Sequence, residues 1–303
     1  MSFISLAKNG RKGAKYYVWT LLLIFTTTIG VGQLPYYLGL WAAGIEVSKV
    51  LEVSMQDAIA ILGSNLFFTL ELIPFCLLLG VLLFSLRKIH GRPLNTVFTI
   101  REYFDWKRFF FLFVLWFLIL AMQLVFSYWT GAKIEWNANK ETFLMLCGIS
   151  LFILPLQVLF EEVLFRSYIL QGLALSFKRP LLSIILSGTL FGLLHAANPE
   201  VDVLGNEILM YYIVTGLFLG VLTVMDDGLE LSLGFHTANN IFGALIVTTD
   251  WQVFKTDALM IDNSPPVIGL DIYVTLFGVF PLVLLLLSKK YKWNSFSKLI
   301  IKQ

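Results

Sequence analysis

The chain has 303 residues, of which 58% are hydrophobic and only 14% are charged. A soluble domain has roughly 45–50% apolar and about 25% charged residues, so this composition excludes an ordinary soluble protein and indicates a polytopic membrane protein. The net charge of +2 carries little information, because orientation in a membrane depends on where the charges lie. No polar stretch is long enough for a separate domain, so we expect residues 1–303 to form one transmembrane domain of the all-α class.

Four apolar segments in the first half of the chain are predicted to span the membrane. They run from Tyr16 to about Ala43, from about Ile59 to Leu86, from about Phe109 to Tyr128, and from about Thr142 past Tyr168. Gly30, Gly32 and Pro35 are expected to kink the first span. Glu71 lies alone within the second span and is a secondary candidate for a functional acid, although a protonated structural role is equally consistent.

Two other residue types in this half receive structural interpretations. Cys76 and Cys147 lie in apolar segments without a CxxC pair, which favours packing residues over a disulfide or metal site. His90 lies in a basic loop beside Gly91-Arg92-Pro93, and we interpret it as a solvated loop residue rather than a ligand.

Four further spans are predicted in the second half, which gives eight in total. They run from about Leu181 to Ala196, Ile208 to Met225, Leu229 to Val247, and Val267 to Leu287. Asp226, Asp227 and Gly228 are expected to turn the chain between the sixth and seventh spans.

The distribution of lysine and arginine predicts an orientation. Basic residues are concentrated in the N-terminal segment, the Arg87–Arg108 loop, the Lys178-Arg179 pair and a tail from Lys289 to Lys302. With eight spans these four segments share one side, which predicts cytoplasmic termini. The short loops and compact form suggest a bacterial plasma membrane.

The most informative stretch is Glu161-Glu162-x-x-x-Arg166, which lies within the fourth span. Each charge near a bilayer centre costs roughly 2.5–3.5 kcal/mol, so charged residues there usually mark a functional site and have partners. Glu162 and Arg166 are one helical turn apart and can form an ion pair. Glu161 is rotated by about 100° and can face another helix. A buried structural ion pair is the alternative interpretation.

Three polar residues in other predicted spans suggest how this stretch could act. His195 ends the fifth span, and His236 and Asn240 lie one turn apart in the seventh. A glutamate can be a general base towards water, a histidine can shuttle the proton, and a His/Asn pair can donate to an oxyanion. Glu161, His195 and His236 could instead bind zinc, although the His-Glu-x-x-His spacing is absent. A shared cavity requires the fourth helix to extend past the membrane, or the fifth to begin deep within it.

The three motifs in this order resemble the CPBP family, which includes type II CAAX prenyl endopeptidases and bacterial Abi proteins. They are Glu161-Glu162-x-x-x-Arg166, Phe191-x-x-x-His195 and His236-x-x-x-Asn240, and the resemblance covers about residues 142–249. It implies an eight-helix intramembrane protease whose cavity opens to the cytoplasm and the bilayer.

The resemblance also implies the role of each residue. Glu161 and His195 would activate water, while His236 and Asn240 would form the oxyanion site. Glu162 and Arg166 would support the catalytic helix together with Phe191. The family was long described as metalloproteases and is better described as glutamate proteases, so no cofactor is expected, with zinc as the alternative.

Two other functions remain open at the level of the sequence. The first is a non-enzymatic scaffold or bacteriocin-immunity protein that uses the same pocket to bind a peptide. The second is a transporter with a Glu/His proton relay, although the sequence has no repeated halves. The expected partners are the lipid bilayer and a peptide or protein substrate, lipidated or not, with no nucleic acid.

Overall fold

The computed structural model describes residues 2–293 and 296–300, and it confirms an all-α membrane architecture. In chain order the helices are α1 (Ala14–Ile29), α2 (Leu34–Ala42), α3 (Met55–Leu62), α4 (Ser64–Phe84), α5 (Asn95–Phe98), α6 (Trp106–Trp129), α7 (Lys140–Phe152), α8 (Leu154–Glu162), α9 (Leu170–Phe177), α10 (Pro180–Leu193), α11 (Pro199–Leu204), α12 (Ile208–Asp226), α13 (Glu230–Leu245), α14 (Leu270–Val274) and α15 (Phe280–Lys290). Lys302, which the sequence analysis counted in the basic tail, lies outside the described residues.

Three short strands form one small sheet, which the sequence analysis did not predict. They are β1 (Ile134–Trp136), β2 (Val247–Thr248) and β3 (Met260–Asp262), in the order β1-β3-β2. Strand β1 pairs antiparallel with β3, with Ile134 opposite Asp262, and β2 pairs parallel with β3. The sheet therefore joins the segments that follow α6 and α13, and we call this end of the bundle the sheet end.

Seven helical segments among the described residues are long and apolar enough to cross a membrane. They are Ala14–Ala42, Ser64–Ile89, Trp106–Trp129, Lys140–Phe177, Pro180–Ala197, Ile208–Asp226 and Leu270–Lys290. The predicted span over Leu229–Val247 forms α13 instead, which has only 16 residues and is buried along nearly its whole length.

The connections of α13 show that it nevertheless runs the length of the bundle. Gly228, just before α13, forms a β-bridge with Thr99, which precedes α6. The strands that follow α6 and α13 meet in the sheet. Both helices therefore start at one end of the bundle and finish at the sheet end, and α13 is buried among its neighbours.

The first two spans differ in detail from the prediction. The first is broken as expected, because a turn of 3-10 helix at Val31–Gln33 separates α1 from α2. The second begins at Ser64 rather than near Ile59, because Gly63 has a φ of +80° and separates α3 from α4. Cys76 and Cys147 are free thiols.

The fourth span is longer than one bilayer crossing requires, and a turn at Ile153 divides it. Its helical segment Lys140–Phe177 has 38 residues. At about 1.5 Å per residue this is about 57 Å, compared with about 30 Å of hydrocarbon. The chain thus continues well past Glu161, which is the extension that a shared cavity required.

The site is positioned by two contacts between helices, each of which depends on glycine. Helix α10 packs on α12 through Gly188 and Gly192 on one helix and Gly216 and Gly220 on the other, both at GxxxG spacing. A Cβ on Gly216 would lie 2.5 Å from the carbonyl oxygen of Gly188, so only glycine permits this approach. Helices α6 and α13 also approach closely, since a Cβ on Gly234 would lie 2.3 Å from the carbonyl oxygen of Phe109.

The interpretation of His90 as a solvated residue is wrong. Its exposed fraction is 3%, and its Nε2 lies 2.9 Å from the hydroxyl of Tyr168. The ring of Tyr17 packs edge-on against it at 4.9 Å. The polar sequence around His90 did not reveal this burial, because its partners come from α1 and from the segment after Arg166.

Candidate active site

The candidate site begins where the fourth helix changes its hydrogen-bonding pattern. Directly after α8, which ends at Glu162, the chain forms a π-helical turn from Val163 to Ile169. Such turns are rare and often occur at functional sites, because they redirect side chains and release carbonyl groups. The carbonyl of Phe165 in this turn accepts a hydrogen bond from the hydroxyl of Ser187 on α10, at 2.7 Å.

The predicted ion pair between Glu162 and Arg166 is present in this turn. Arg166 Nη1 lies 3.3 Å from Glu162 Oε1, and the exposed fractions of the two side chains are 1% and 0%. The guanidinium carbon of Arg166 also lies 4.1 Å from the centre of the Phe191 ring. Arg166 and Phe191 meet because each lies twelve residues from the Lys178-Arg179 turn that joins α9 to α10.

His236 lies between the two glutamates of the fourth helix. Its Nδ1 donates to Glu162 Oε1 at 2.8 Å, and its Nε2 faces Glu161 Oε2 at 3.5 Å. The imidazole of His236 therefore joins the two carboxylates, one at each ring nitrogen. Glu161 is the more accessible of the two carboxylates, with an exposed side-chain fraction of 13%.

His195 lies on the other side of the Phe191 ring. It is in a turn of 3-10 helix at the end of α10, and its Nδ1 donates to the carbonyl of Phe191 at 2.8 Å. Its ring stacks on Tyr212 of α12 at 4.4 Å, which fixes the plane of the imidazole. Because Nδ1 is occupied, Nε2 is the atom available for proton transfer. The Phe191 ring centre lies 4.7 Å from that of His195 and 6.0 Å from that of His236.

A buried carboxyl group follows His195 closely in the sequence. Glu200 in α11 has an exposed fraction of 8%, and its Oε1 accepts from the backbone N–H of Val253 at 2.9 Å. Burial raises the pKa of Glu200, an effect that the Val253 N–H and the nearby His195 partly oppose. Glu200 thus ties the loop after α13 to the segment that carries His195.

Asn240 belongs to a chain of hydrogen-bonded polar side chains. Its Nδ2 donates to Gln157 Oε1 at 3.2 Å, and its Oδ1 accepts from Asn239 Nδ2 at 3.4 Å. The indole of Trp116 donates to Asn239 Oδ1 at 3.3 Å. Three of these residues, Trp116, Asn239 and Gln157, were not predicted as site residues. Gln157 could have been found, because it lies one turn before Glu161 on the same helix.

The structure therefore brings most of the predicted residues together. Contacts at the distances given above connect Glu161, Glu162, Arg166 and His236, and the Phe191 ring links this cluster to His195. Within this cluster Glu161 contacts His236. The catalytic roles assigned from the family resemblance remain predictions. Glu71, the secondary candidate, is exposed on the surface of α4.

The alternative zinc ligands do not form a suitable donor set. Among the described residues, no group of three or more His, Cys, Asp or Glu side chains is placed to hold a metal ion. Glu161 and His236 face each other, whereas the Phe191 ring lies next to His195, with ring centres 4.7 Å apart.

Comparison with known proteins identifies the segment that holds the site. Residues 142–242 match the family described as type II CAAX prenyl endopeptidase Rce1-like. The chain is also 33% identical over 172 residues to the uncharacterized protein YyaK of Bacillus subtilis (strain 168). That similarity covers 56% of this chain and 58% of the relative, so the chain spans little more than half of the relative's length. No solved structure matches this chain.

The matched segment contains every predicted site residue: Glu161, Glu162, Arg166, Phe191, His195, His236 and Asn240. That family is described by type II CAAX prenyl endopeptidase activity. The match confirms the resemblance to the CPBP family, because residues 142–242 of this chain match the family described as type II CAAX prenyl endopeptidase Rce1-like.

Proposed function

We propose that this protein is an intramembrane endopeptidase that hydrolyses peptide bonds of membrane-associated peptides or proteins. The observation that carries the proposal is the buried cluster in which His236 bridges Glu161 and Glu162, and in which Arg166 balances the charge of Glu162. A charged group of this kind within a membrane helix is costly, so it is expected to serve a function.

Glu161 is the general base in this proposal. It is the more exposed carboxylate, and its contact with the protein is the longer one, at 3.5 Å. It takes a proton from water as the water oxygen bonds to the carbonyl carbon of the substrate. The negative charge passes to the carbonyl oxygen, where N–H groups of His236 and Asn240 stabilise it.

His195 assists Glu161 in moving the proton. Its Nε2 is available because Nδ1 is held by the carbonyl of Phe191. When the carbon–nitrogen bond breaks, the proton taken from water passes to the departing nitrogen. The products are one new carboxyl group and one new amino group, so the reaction balances with water as the only co-reactant and needs no bound metal.

The substrate is a peptide segment presented at the membrane. The family is described by prenyl endopeptidase activity, but recognition of a lipid on the substrate is a separate question. The proposed location is a bacterial plasma membrane with cytoplasmic termini. The structure supports a shared side for the termini, because the N–H of Phe3 donates to Asp227 at 2.8 Å and Lys298 pairs with the same carboxylate.

Cleavage of a membrane-peptide library by the purified, detergent-solubilised protein tests this function. Wild type is compared with Glu161→Gln and His195→Ala, each with and without a chelator. We expect cleavage that both substitutions abolish and the chelator leaves intact. Loss of cleavage on chelation, restored by added zinc, would overturn the metal-free proposal. A biological effect that Glu161→Gln leaves intact would favour the scaffold or immunity function instead.

A further inference from the structure

The polar chain that includes Asn240 has a fixed direction. An indole N–H can only donate, whereas an asparagine or glutamine amide presents either its oxygen or its nitrogen, depending on how the group is turned. Trp116 is completely buried, so its N–H requires a partner within the protein. That partner is Asn239 Oδ1, at 3.3 Å.

Each following amide takes its orientation from the one before it. With Oδ1 of Asn239 turned towards Trp116, its Nδ2 faces Asn240 and donates to Oδ1 at 3.4 Å. The Nδ2 of Asn240 is thereby turned towards α8, where it donates to Gln157 Oε1 at 3.2 Å. Gln157 lies one turn before Glu161, so this nitrogen is directed towards the helix that carries the proposed general base.

We propose that Trp116, Asn239 and Gln157 are positioning residues that orient the amide of Asn240 so that its N–H group, and not its carbonyl, faces the reacting carbonyl of the substrate. This inference rests on the proposed function, and it extends the site to residues that the family motifs do not include. Trp116 lies on α6, outside the segment that matches the family. One N–H of Asn240 is bound to Gln157, and the second is available for the oxyanion.

The packing around Trp116 fits this role. Its ring lies 4.4 Å from Phe235 and 5.6 Å from Phe280, so the indole has little freedom to rotate. The close contact between Gly234 and Phe109 fixes the position of α6 along α13, and thereby aligns Trp116 with Asn239. The polar chain crosses from α6 through α13 to α8, and it orders the amide without any charged group.

Two substitutions at Asn239 separate this role from packing. Asn239→Asp has the same shape but only accepts hydrogen bonds, so Nδ2 of Asn240 should turn towards it and the carbonyl should turn towards the substrate. We expect kcat to fall by about 10²–10³-fold, the usual loss when an oxyanion donor is removed, with KM nearly unchanged. Asn239→Leu removes both the acceptor for Trp116 and the donor to Asn240. The amide of Asn240 can then adopt either orientation, so kcat is expected to fall only a few-fold. A purely structural role predicts the opposite order.

A double-mutant cycle excludes a direct effect of the aspartate charge. If Asn239→Asp acts by turning Asn240, it should cost nothing further in an Asn240→Ala background. An added loss in that background, or a milder effect of Asn239→Asp than of Asn239→Leu, would overturn the inference. If Asn240→Ala itself leaves kcat unchanged, the proposed role of Asn240 in stabilising the oxyanion is refuted, rather than the way in which its amide is oriented.

A spectroscopic measurement tests the first contact without any substrate. The chain has 8 tryptophans, and Trp116→Phe identifies the indole N–H signal of Trp116 in a ¹⁵N–¹H spectrum of the solubilised protein. Phe113→Leu, on the same helix, is the control for Trp116→Phe, because it also reduces aromatic volume but keeps every indole N–H. We expect the signal to move upfield in Asn239→Leu and to remain downfield in Asn239→Asp. A signal that is unchanged in Asn239→Leu would show that the bond from Trp116 to Asn239 is absent.

Discussion

Removal of the Arg166 guanidinium should be strongly destabilising, because the buried Glu162 carboxylate then keeps its hydrogen bond from His236 but loses the arginine charge. The side chains of Arg166 and Glu162 have exposed fractions of 1% and 0%, so water cannot replace the lost contact. Breaking a buried ion pair from one side typically costs about 3–5 kcal/mol. Arg166→Met keeps the aliphatic part of the side chain, so we expect its unfolding free energy to fall by about this amount.

The double variant tests whether the cost comes from the unpaired charge. Glu162→Gln leaves Arg166 unpaired and should be similarly destabilising, whereas the combination of both substitutions leaves no isolated charge from this pair. We expect the double variant to lose at least about 2 kcal/mol less than the sum of the single losses. Unfolding free energies measured by steric trapping in bicelles provide the comparison. Additive losses, or an Arg166→Met variant within about 0.5 kcal/mol of wild type, would refute the reasoning.

An exposed ion pair in the same chain provides a matched control. Lys49 and Glu46 lie 3.4 Å apart with exposed side-chain fractions of 65% and 71%. Exposed pairs contribute about 0–1 kcal/mol, so Lys49→Met should change the unfolding free energy by less than about 1 kcal/mol. The contrast between the two pairs isolates the effect of burial.

Two further predictions concern other parts of the fold. Gly192→Leu should separate α10 from α12 and lower both thermal stability and cleavage, because a Cβ there would lie 2.6 Å from the Cα of Ile213. Gly80→Leu is the control and should change neither, because a Cβ at Gly80 would meet no atom within 4 Å. Burial lowers the pKa of His90, so its neutral form is favoured in the folded state. The unfolding free energy should therefore decrease as the pH falls below about 6.5. In unfolding experiments at about pH 7.5 to 5.5, His90→Gln should show a smaller decrease than wild type. The same pH dependence in both proteins would contradict the assignment.

The charged part of the site was predictable from the sequence because it depends on local spacing. Glu162 and Arg166 are one turn apart, and the ion pair forms within one helical segment. The cost of charge in a membrane also made Glu161 conspicuous in an apolar stretch. His195, His236 and Asn240 stood out as polar residues in other apolar spans, and the family resemblance then grouped them with Glu161, which no local pattern could do.

Other features depend on contacts between distant segments and were not predictable in this way. His90 is buried by Tyr17 and Tyr168, which lie in other helices. Trp116 looked like any other aromatic residue in an apolar helix, and its role follows only from its contact with Asn239. The burial of α13 similarly results from its neighbours.

The central claim is that Glu161 activates water to hydrolyse a peptide bond. The most direct test uses a peptide that the library screen identifies, cleaved in H₂¹⁸O by wild type, Glu161→Gln and Glu207→Gln, an exposed glutamate outside the cluster. We predict ¹⁸O in the new carboxyl group, a fall of about 10²–10⁴-fold in kcat for Glu161→Gln, and wild-type activity for Glu207→Gln. Wild-type turnover by Glu161→Gln would contradict the account.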